Sequence, residues 1–155
     1  MLHSSPTPST GRVVRDARLD ALLDRLHAYA APRLGRLIAQ PRFEAGAYTR
    51  LLVDRDVHRE VWLLAWSAGQ ASTIHDHAQQ PTATLVLRGQ LEEEAYVQVG
   101  ATVRAVGRRT RGAGDADVDD GHAIHRVTCT SAQAITLHAF APCYVAGMVF
   151  AEPRP

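Results

Sequence analysis

The chain of 155 residues carries a formal net charge of +1, with 46% hydrophobic and 21% charged residues. That length suits one domain with its own core, and the near-neutral balance offers no basic surface to nucleic acid or an anionic membrane. The two cysteines, Cys129 and Cys143, lack metal or redox spacing, which argues against a disulfide framework and suits a reducing, cytoplasmic compartment, and no apolar run reaches the about 18 residues of a membrane helix.

Residues 1–14 are rich in Ser, Thr and Pro and lack the apolar segment of a signal peptide, so a disordered tail is expected there. Residues 15–44 are expected to be helical. Leu19, Leu22, Leu23 and Leu26 form the one-sided stripe of an amphipathic helix. Pro32 is expected to end it, and a second short helix is expected over Arg33–Ala39 before Pro41. The texture then changes to short β-rich runs over 45–152. Strands are predicted at 47–53, 59–67, 71–77, 83–88, 90–98, 101–107, 124–129, 133–140 and 144–150. Val61–Trp66 is apolar nearly throughout, as in a strand covered on both faces. Many short strands at close spacing point to a sandwich or barrel, with the helices packed outside it. Glu92, Glu93 and Glu94 read as a solvated strand edge, the arginines at 108, 109 and 111 as a solvated turn, and Asp115–Asp120 as an acidic turn. Cys129 and Cys143 read as small core hydrophobes.

The chemistry concentrates in the histidines. His75 and His77 are two apart, so on an extended strand both imidazoles point to one face. A third ligand must come from elsewhere, and His122 and His125 compete for it, since three apart on a strand they face opposite ways. Three imidazoles suit Fe, Zn, Cu or Ni, so ligand type alone does not choose the metal. Arg50 carries a planar fork matched to a carboxylate, if it faces inward. Thr136, His138 and Phe140 alternate along a predicted strand and share one face.

Gly69, His75, His77 and the closing Gly89 resemble the first motif of the cupin superfamily. With Tyr48-Thr49-Arg50 upstream, and Ile124-His125-Arg126-Val127 and Leu137-His138-Ala139-Phe140 downstream, residues 45–150 resemble the cysteine dioxygenase (thiol dioxygenase) family of non-haem iron cupins. The resemblance implies a mainly β fold: a single cupin-type, jelly-roll-like β-barrel with short N-terminal α-helices outside it. It implies one mononuclear Fe(II) on His75, His77 and His125, with His122 left to a loop. Arg50 and Tyr48 would hold the substrate, Phe140 would line its site, and His138 and Tyr48 would assist the reaction. That reaction would be oxidation of a small carboxylated thiol, L-cysteine first, to its sulfinic acid by O2. Thiol and O2 would be the only partners of a monomer or weak homo-oligomer, with no nucleic acid and no membrane. Two departures stand out. Thr82 takes the place of the Glu ligand of many cupins and of the family's cross-linking Cys, and Phe140 takes the place of a family Tyr. Without the Glu, a bound metal keeps its double charge and can accept an anionic thiolate. The rival expectations are a dioxygenase for another thiol or small acid, and a non-catalytic cupin that binds a metal or ligand.

Overall fold

The computed structural model describes residues 16–152, so the expected tail over 1–14 lies outside the described residues. Helix α1 spans Ala17–Ala30, and the Asp16 carboxylate caps it by accepting from the Arg18 backbone N–H at 2.9 Å. Pro32 sits in a 3₁₀ turn over Ala31–Arg33 that leads straight into α2, Leu34–Ala39. Proline is tolerated in a first helical turn, where its missing N–H has no partner to lose. Pro32 therefore redirects the chain instead of freeing it.

The strands are β1 Thr49–Arg55, β2 Glu60–Ser67, β3 Ile74–His75, β4 Thr82–Arg88, β5 Gln90–Val99, β6 Thr102–Gly112, β7 Ala116–Asp119, β8 Ile124–Cys129, β9 Gln133–Phe140 and β10 Val149–Phe150. They form two five-stranded sheets, β1-β2-β9-β4-β7 and β10-β3-β8-β5-β6. The fold is mainly β and jelly-roll-like, as expected, with two facing sheets instead of one continuous closed ring of strands. No helix among the described residues is long and apolar enough to cross a membrane.

Period-two alternation organises the first sheet into two working faces. Val61 and Leu63 of β2, Ile135, Leu137 and Ala139 of β9, and Ala83, Leu85 and Leu87 of β4 form one buried cluster with Leu22, Leu26, Tyr29 and Leu37 of the helices. The residues between them turn toward the second sheet: Leu64, Trp66 and Val86 pack there with Leu91, Cys129 and Ala134, and Tyr48, Trp62 and Val127 lie against them. Strand β2 is thus covered on both faces, as its apolar run predicts.

Several local expectations change. The arginines at 108, 109 and 111 lie on β6, which continues to Gly112, and not in a turn. The acidic stretch contains a strand, β7, which pairs with β4 so that Thr82 faces Asp119. Strand β5 runs between β6 and β8, so the three glutamates are not at a sheet edge. The long strands expected at 71–77 and 144–150 shrink to the two-residue β3 and β10. Cys129 is buried as expected, but Cys143 is exposed.

Candidate functional site

Strand β3 brings His75 directly opposite His125 of β8. The two rings and that of His77 then converge, each offering one ligand atom within 4.8 Å of the others. The acceptors at the back of each ring settle which nitrogen faces inward. His75 Nδ1 lies 2.9 Å from the Thr73 carbonyl, His77 Nδ1 3.1 Å from Asp119 Oδ2, and His125 Nδ1 2.6 Å from Glu93 Oε1. An oxygen acceptor at Nδ1 draws the ring proton there and leaves a lone pair on Nε2. Burial first, and then the neighbouring His125, lowers the His75 pKa to about 4, so that ring is neutral near pH 7. The Nε2 atoms of His77 and His125 are 3.3 Å apart, and with both ring protons on Nδ1 neither has one to donate to the other. Such a convergence of lone pairs is unfavourable until a cation occupies it, and the donor set fits a divalent transition metal. His122 lies outside this cluster: its ring is exposed and its Nδ1 sits 3.1 Å from Asp120.

Glu93 and Asp119 are the residues that the sequence reading missed. Glu93 is buried, and although burial alone would raise its pKa, the hydrogen bond from His125 and the charge of Arg109 hold it at about 2. Arg109 reaches the same carboxylate at 2.6 Å and also pairs with Asp117, while Arg111 lies 3.6 Å from it. The arginines at 108, 109 and 111 therefore each have a carboxylate partner within the fold. Asp119 likewise stays ionised: burial raises its pKa, and the hydrogen bonds from His77 and the Gly121 backbone outweigh it. Gly121 fits here for a physical reason: its φ of +93° is left-handed, and a Cβ would strike the backbone of Gln79 and Gln80. One signal was available for Glu93. It is in phase with Leu91, so on a strand it shares that residue's inward face.

The cluster forms the floor of a pocket of about 140 Å³, lined by Tyr48, Arg50, Trp62, Trp66, His138, Phe140 and Tyr144 among others. The structure thus brings all seven expected site residues to one place. Tyr48 stacks on Trp66 at 4.1 Å between ring centroids. Phe140 meets the His77 ring edge-on at 5.8 Å and lies opposite Thr82 in the β4–β9 register. His138 sits on β9 between Trp62 and Thr84 on the flanking strands. Its Nε2 is 2.9 Å from Thr136 Oγ1, which also accepts from the Trp66 indole at 3.0 Å. The indole can only donate, so the Thr136 proton is free for His138 Nε2, and the ring N–H falls on Nδ1, 3.5 Å from Thr84 Oγ1. Burial, followed by the influence of His77, pushes the His138 pKa well below 6.5, and the ring is neutral.

One wall of the pocket has little strand pairing of its own. The Tyr144 backbone N–H donates to Glu60 Oε2 at 3.1 Å, that of Val145 to Gln80 Oε1 at 2.7 Å, and that of Met148 to Asp76 Oδ1 at 2.8 Å. Gln80 also donates to the Cys143 carbonyl. Gly147 lies so near the Asp76 carbonyl that any Cβ would collide with it.

Comparison with known proteins agrees with this geometry. The family model described as cysteine dioxygenase type I matches residues 25–152. The zebrafish (Danio rerio) protein named cysteine dioxygenase type 1 is 30% identical over 110 residues, which is 65% of this chain and 54% of that protein. The human protein of the same name is 30% identical over 108 residues, with the same shares. The chain therefore spans about half the length of the curated relatives it matches. Among solved structures, TT1209 from Thermus thermophilus superposes with a TM-score of 0.56 at 22% identity, over 71% of this chain and 94% of that one. An RmlC-like cupin from Shewanella frigidimarina gives 0.52 at 17% identity, over 67% and 86%. At such identities the structures speak for the fold alone. The family match takes in both sheets and all three converging histidines, and on that basis the chain belongs to the cysteine dioxygenase type I family of cupins.

Proposed function

We propose that the protein is a thiol dioxygenase that holds one mononuclear Fe(II) on His75, His77 and His125 and oxidises a small carboxylated thiol, L-cysteine in the first instance, to its sulfinic acid. The observation that carries this reading is the trio of imidazoles, each with an oxygen acceptor behind Nδ1, at the floor of a pocket that also contains an arginine. When bound, the iron would favour the substrate thiolate and pass electrons from sulfur to O2, both of whose atoms end on sulfur.

The chain supplies position and surroundings. Arg50 makes no ion pair among the described residues, and its guanidinium lies 5.0 Å from the Trp62 ring centroid and 4.6 Å from that of Tyr144. It is free to take the substrate carboxylate, and the carboxylate would fix which way the thiol points. Tyr48 sits beside it with its pKa raised by burial, against the lowering effect of Arg50, and so keeps its phenol proton as a donor. His138, held neutral, offers a fixed dipole beside the reacting atoms and not a charge. Trp66, Leu64 and Phe140 exclude water from that end of the pocket. Phe140 and Thr82 face each other across β4 and β9, so the two positions that would carry a Cys–Tyr thioether are adjacent but hold neither reactive group.

The test is O2 uptake by anaerobically purified, Fe(II)-loaded protein with L-cysteine, together with mass spectrometry of the product. A product heavier by two oxygens, formed in step with O2 uptake, is expected. No uptake at one equivalent of bound iron would remove cysteine as substrate. The second reading, a dioxygenase for a larger thiol acid, is favoured by the apolar residues Val127, Ala146 and Val149 on the pocket wall. A panel of thiol acids in the same assay separates the two.

A further inference from the structure

Arg50 is useful as a carboxylate clamp only if its guanidinium is held still, and no acidic side chain among the described residues holds it. Two aromatic rings do so instead. Trp62 lies diagonally across the β1–β2 ladder from Arg50, since Leu52 faces Trp62 and Arg50 faces Leu64. Tyr144 arrives from the wall segment after β9. The guanidinium carbon is 5.0 Å from the first ring centroid and 4.6 Å from the second, within the range of cation–π attraction. The two rings meet each other at 6.1 Å and 62°.

Both rings depend on one further residue. Glu60 is 5% exposed at the start of β2, and its Oε2 accepts the Trp62 indole N–H at 3.0 Å and the Tyr144 backbone N–H at 3.1 Å. Its other oxygen takes Arg55 at 2.5 Å. Strand periodicity explains the first contact, because residues 60 and 62 share a face. The second joins two segments 84 residues apart in the chain. A single carboxylate oxygen therefore sets where both walls of the arginine slot stand.

We infer that Glu60 is a positioning residue for substrate recognition: it locks Trp62 and Tyr144 around Arg50, and so aims the guanidinium at the carboxylate of the substrate. This inference rests on the reading of Arg50 as the carboxylate clamp. Glu60 touches neither substrate nor metal, and its effect passes through the slot. The signature is selective. Loss of Glu60 weakens binding of a thiol with a carboxylate and spares one without it.

The experiment is anaerobic titration calorimetry of Fe(II)-loaded protein with L-cysteine and with cysteamine, which lacks the carboxylate, followed by kcat and KM for each. Glu60→Met keeps the bulk of the side chain without its acceptors. It is expected to weaken L-cysteine binding about tenfold, as for one lost charge-assisted hydrogen bond, with cysteamine changed less than about twofold. Glu60→Gln should stay close to the wild type, because its amide oxygen can take the place of Oε2 while Arg55, on the exposed side, swings away. In an Arg50→Ala background, Glu60→Met should add nothing. Should Glu60→Met fold poorly, Trp62→Phe keeps a smaller ring beside Arg50 and removes the N–H that Glu60 holds, and should repeat the selective loss.

Equal weakening of both thiols, an effect that persists without Arg50, or a Glu60→Gln protein as impaired as Glu60→Met would each overturn the inference. Wild-type discrimination in Glu60→Met beside a defective Arg50→Ala removes the role of Glu60 and leaves the clamp standing. An Arg50→Ala protein that still discriminates between the thiols removes the clamp itself, and this inference with it.

Discussion

A histidine becomes a metal ligand through what stands behind it. Glu93 and Asp119 each hold one imidazole by its Nδ1–H, at 2.6 and 3.1 Å, and so orient the inward nitrogen and raise its basicity. Glu93→Gln should lower Fe(II) affinity about 10–100-fold in a chelator competition, and an unchanged affinity would make that carboxylate purely structural. His125→Ala should lose the metal and turnover together, whereas His122→Ala should keep one equivalent of metal, because the His122 ring pairs with Asp120 outside the cluster. The reverse pattern would move the third ligand to His122. Arg50→Ala should raise KM for a carboxylated thiol and leave a thiol without the group nearly untouched. At this scale the sequence was legible where the signal is local. His75 and His77 share a face by periodicity alone. Glu93 reads as a solvated residue in the sequence because its meaning depends on β8, which lies beside β5 in space and about thirty residues away in sequence.

Strand β9 shows how one element serves two purposes. Ile135, Leu137 and Ala139 fill the core beneath the helices, while His138 and Phe140 line the pocket and Thr136, on the same face, holds His138. The alternation was readable, and so were the helix over the leucine stripe and the covering of β2 on both sides. Strand β7 was not, because Ala116–Asp119 has the composition of a turn and becomes a strand only by pairing with β4. Burial on β9 also has a pH signature. The folded chain holds His138 well below 6.5, whereas the unfolded chain takes up a proton on that ring as the pH falls past 6.5. Between those two values the unfolded state binds more protons, so stability rises with pH. The stabilisation is complete above 6.5 and is lost as the pH drops toward the folded value. Metal-free protein should therefore show a Tm that declines below pH 6.5, and His138→Gln should make the decline shallower, leaving the share of His75; superimposable profiles would place its origin elsewhere.

As a whole the molecule is a stack: helices, a first sheet with a core on one side and a pocket on the other, and a second sheet that supplies His75 and His125. The helical layer is separable from the chemistry. Leu26 is fully buried against the first sheet, on the face away from the pocket. Leu26→Ala should cost about 2–5 kcal/mol of stability by denaturant titration while metal stoichiometry stays at one. A matching loss of metal would mean that the two faces of the sheet are coupled. The pocket wall is tied differently. Asp76, between two of the converging histidines, exchanges backbone and side-chain hydrogen bonds with Met148, and β10 then pairs with β3 through Val149 opposite His75. Opening the wall means peeling β10 from a strand two residues long that itself carries a histidine of the cluster. The amides of Asp76, Met148 and Phe150 should thus exchange with deuterium as one cooperative unit, faster than the amides of β2 and β9. Metal loading should slow that unit selectively, through its grip on His75, so that access to the pocket and occupancy of the histidines become a single equilibrium.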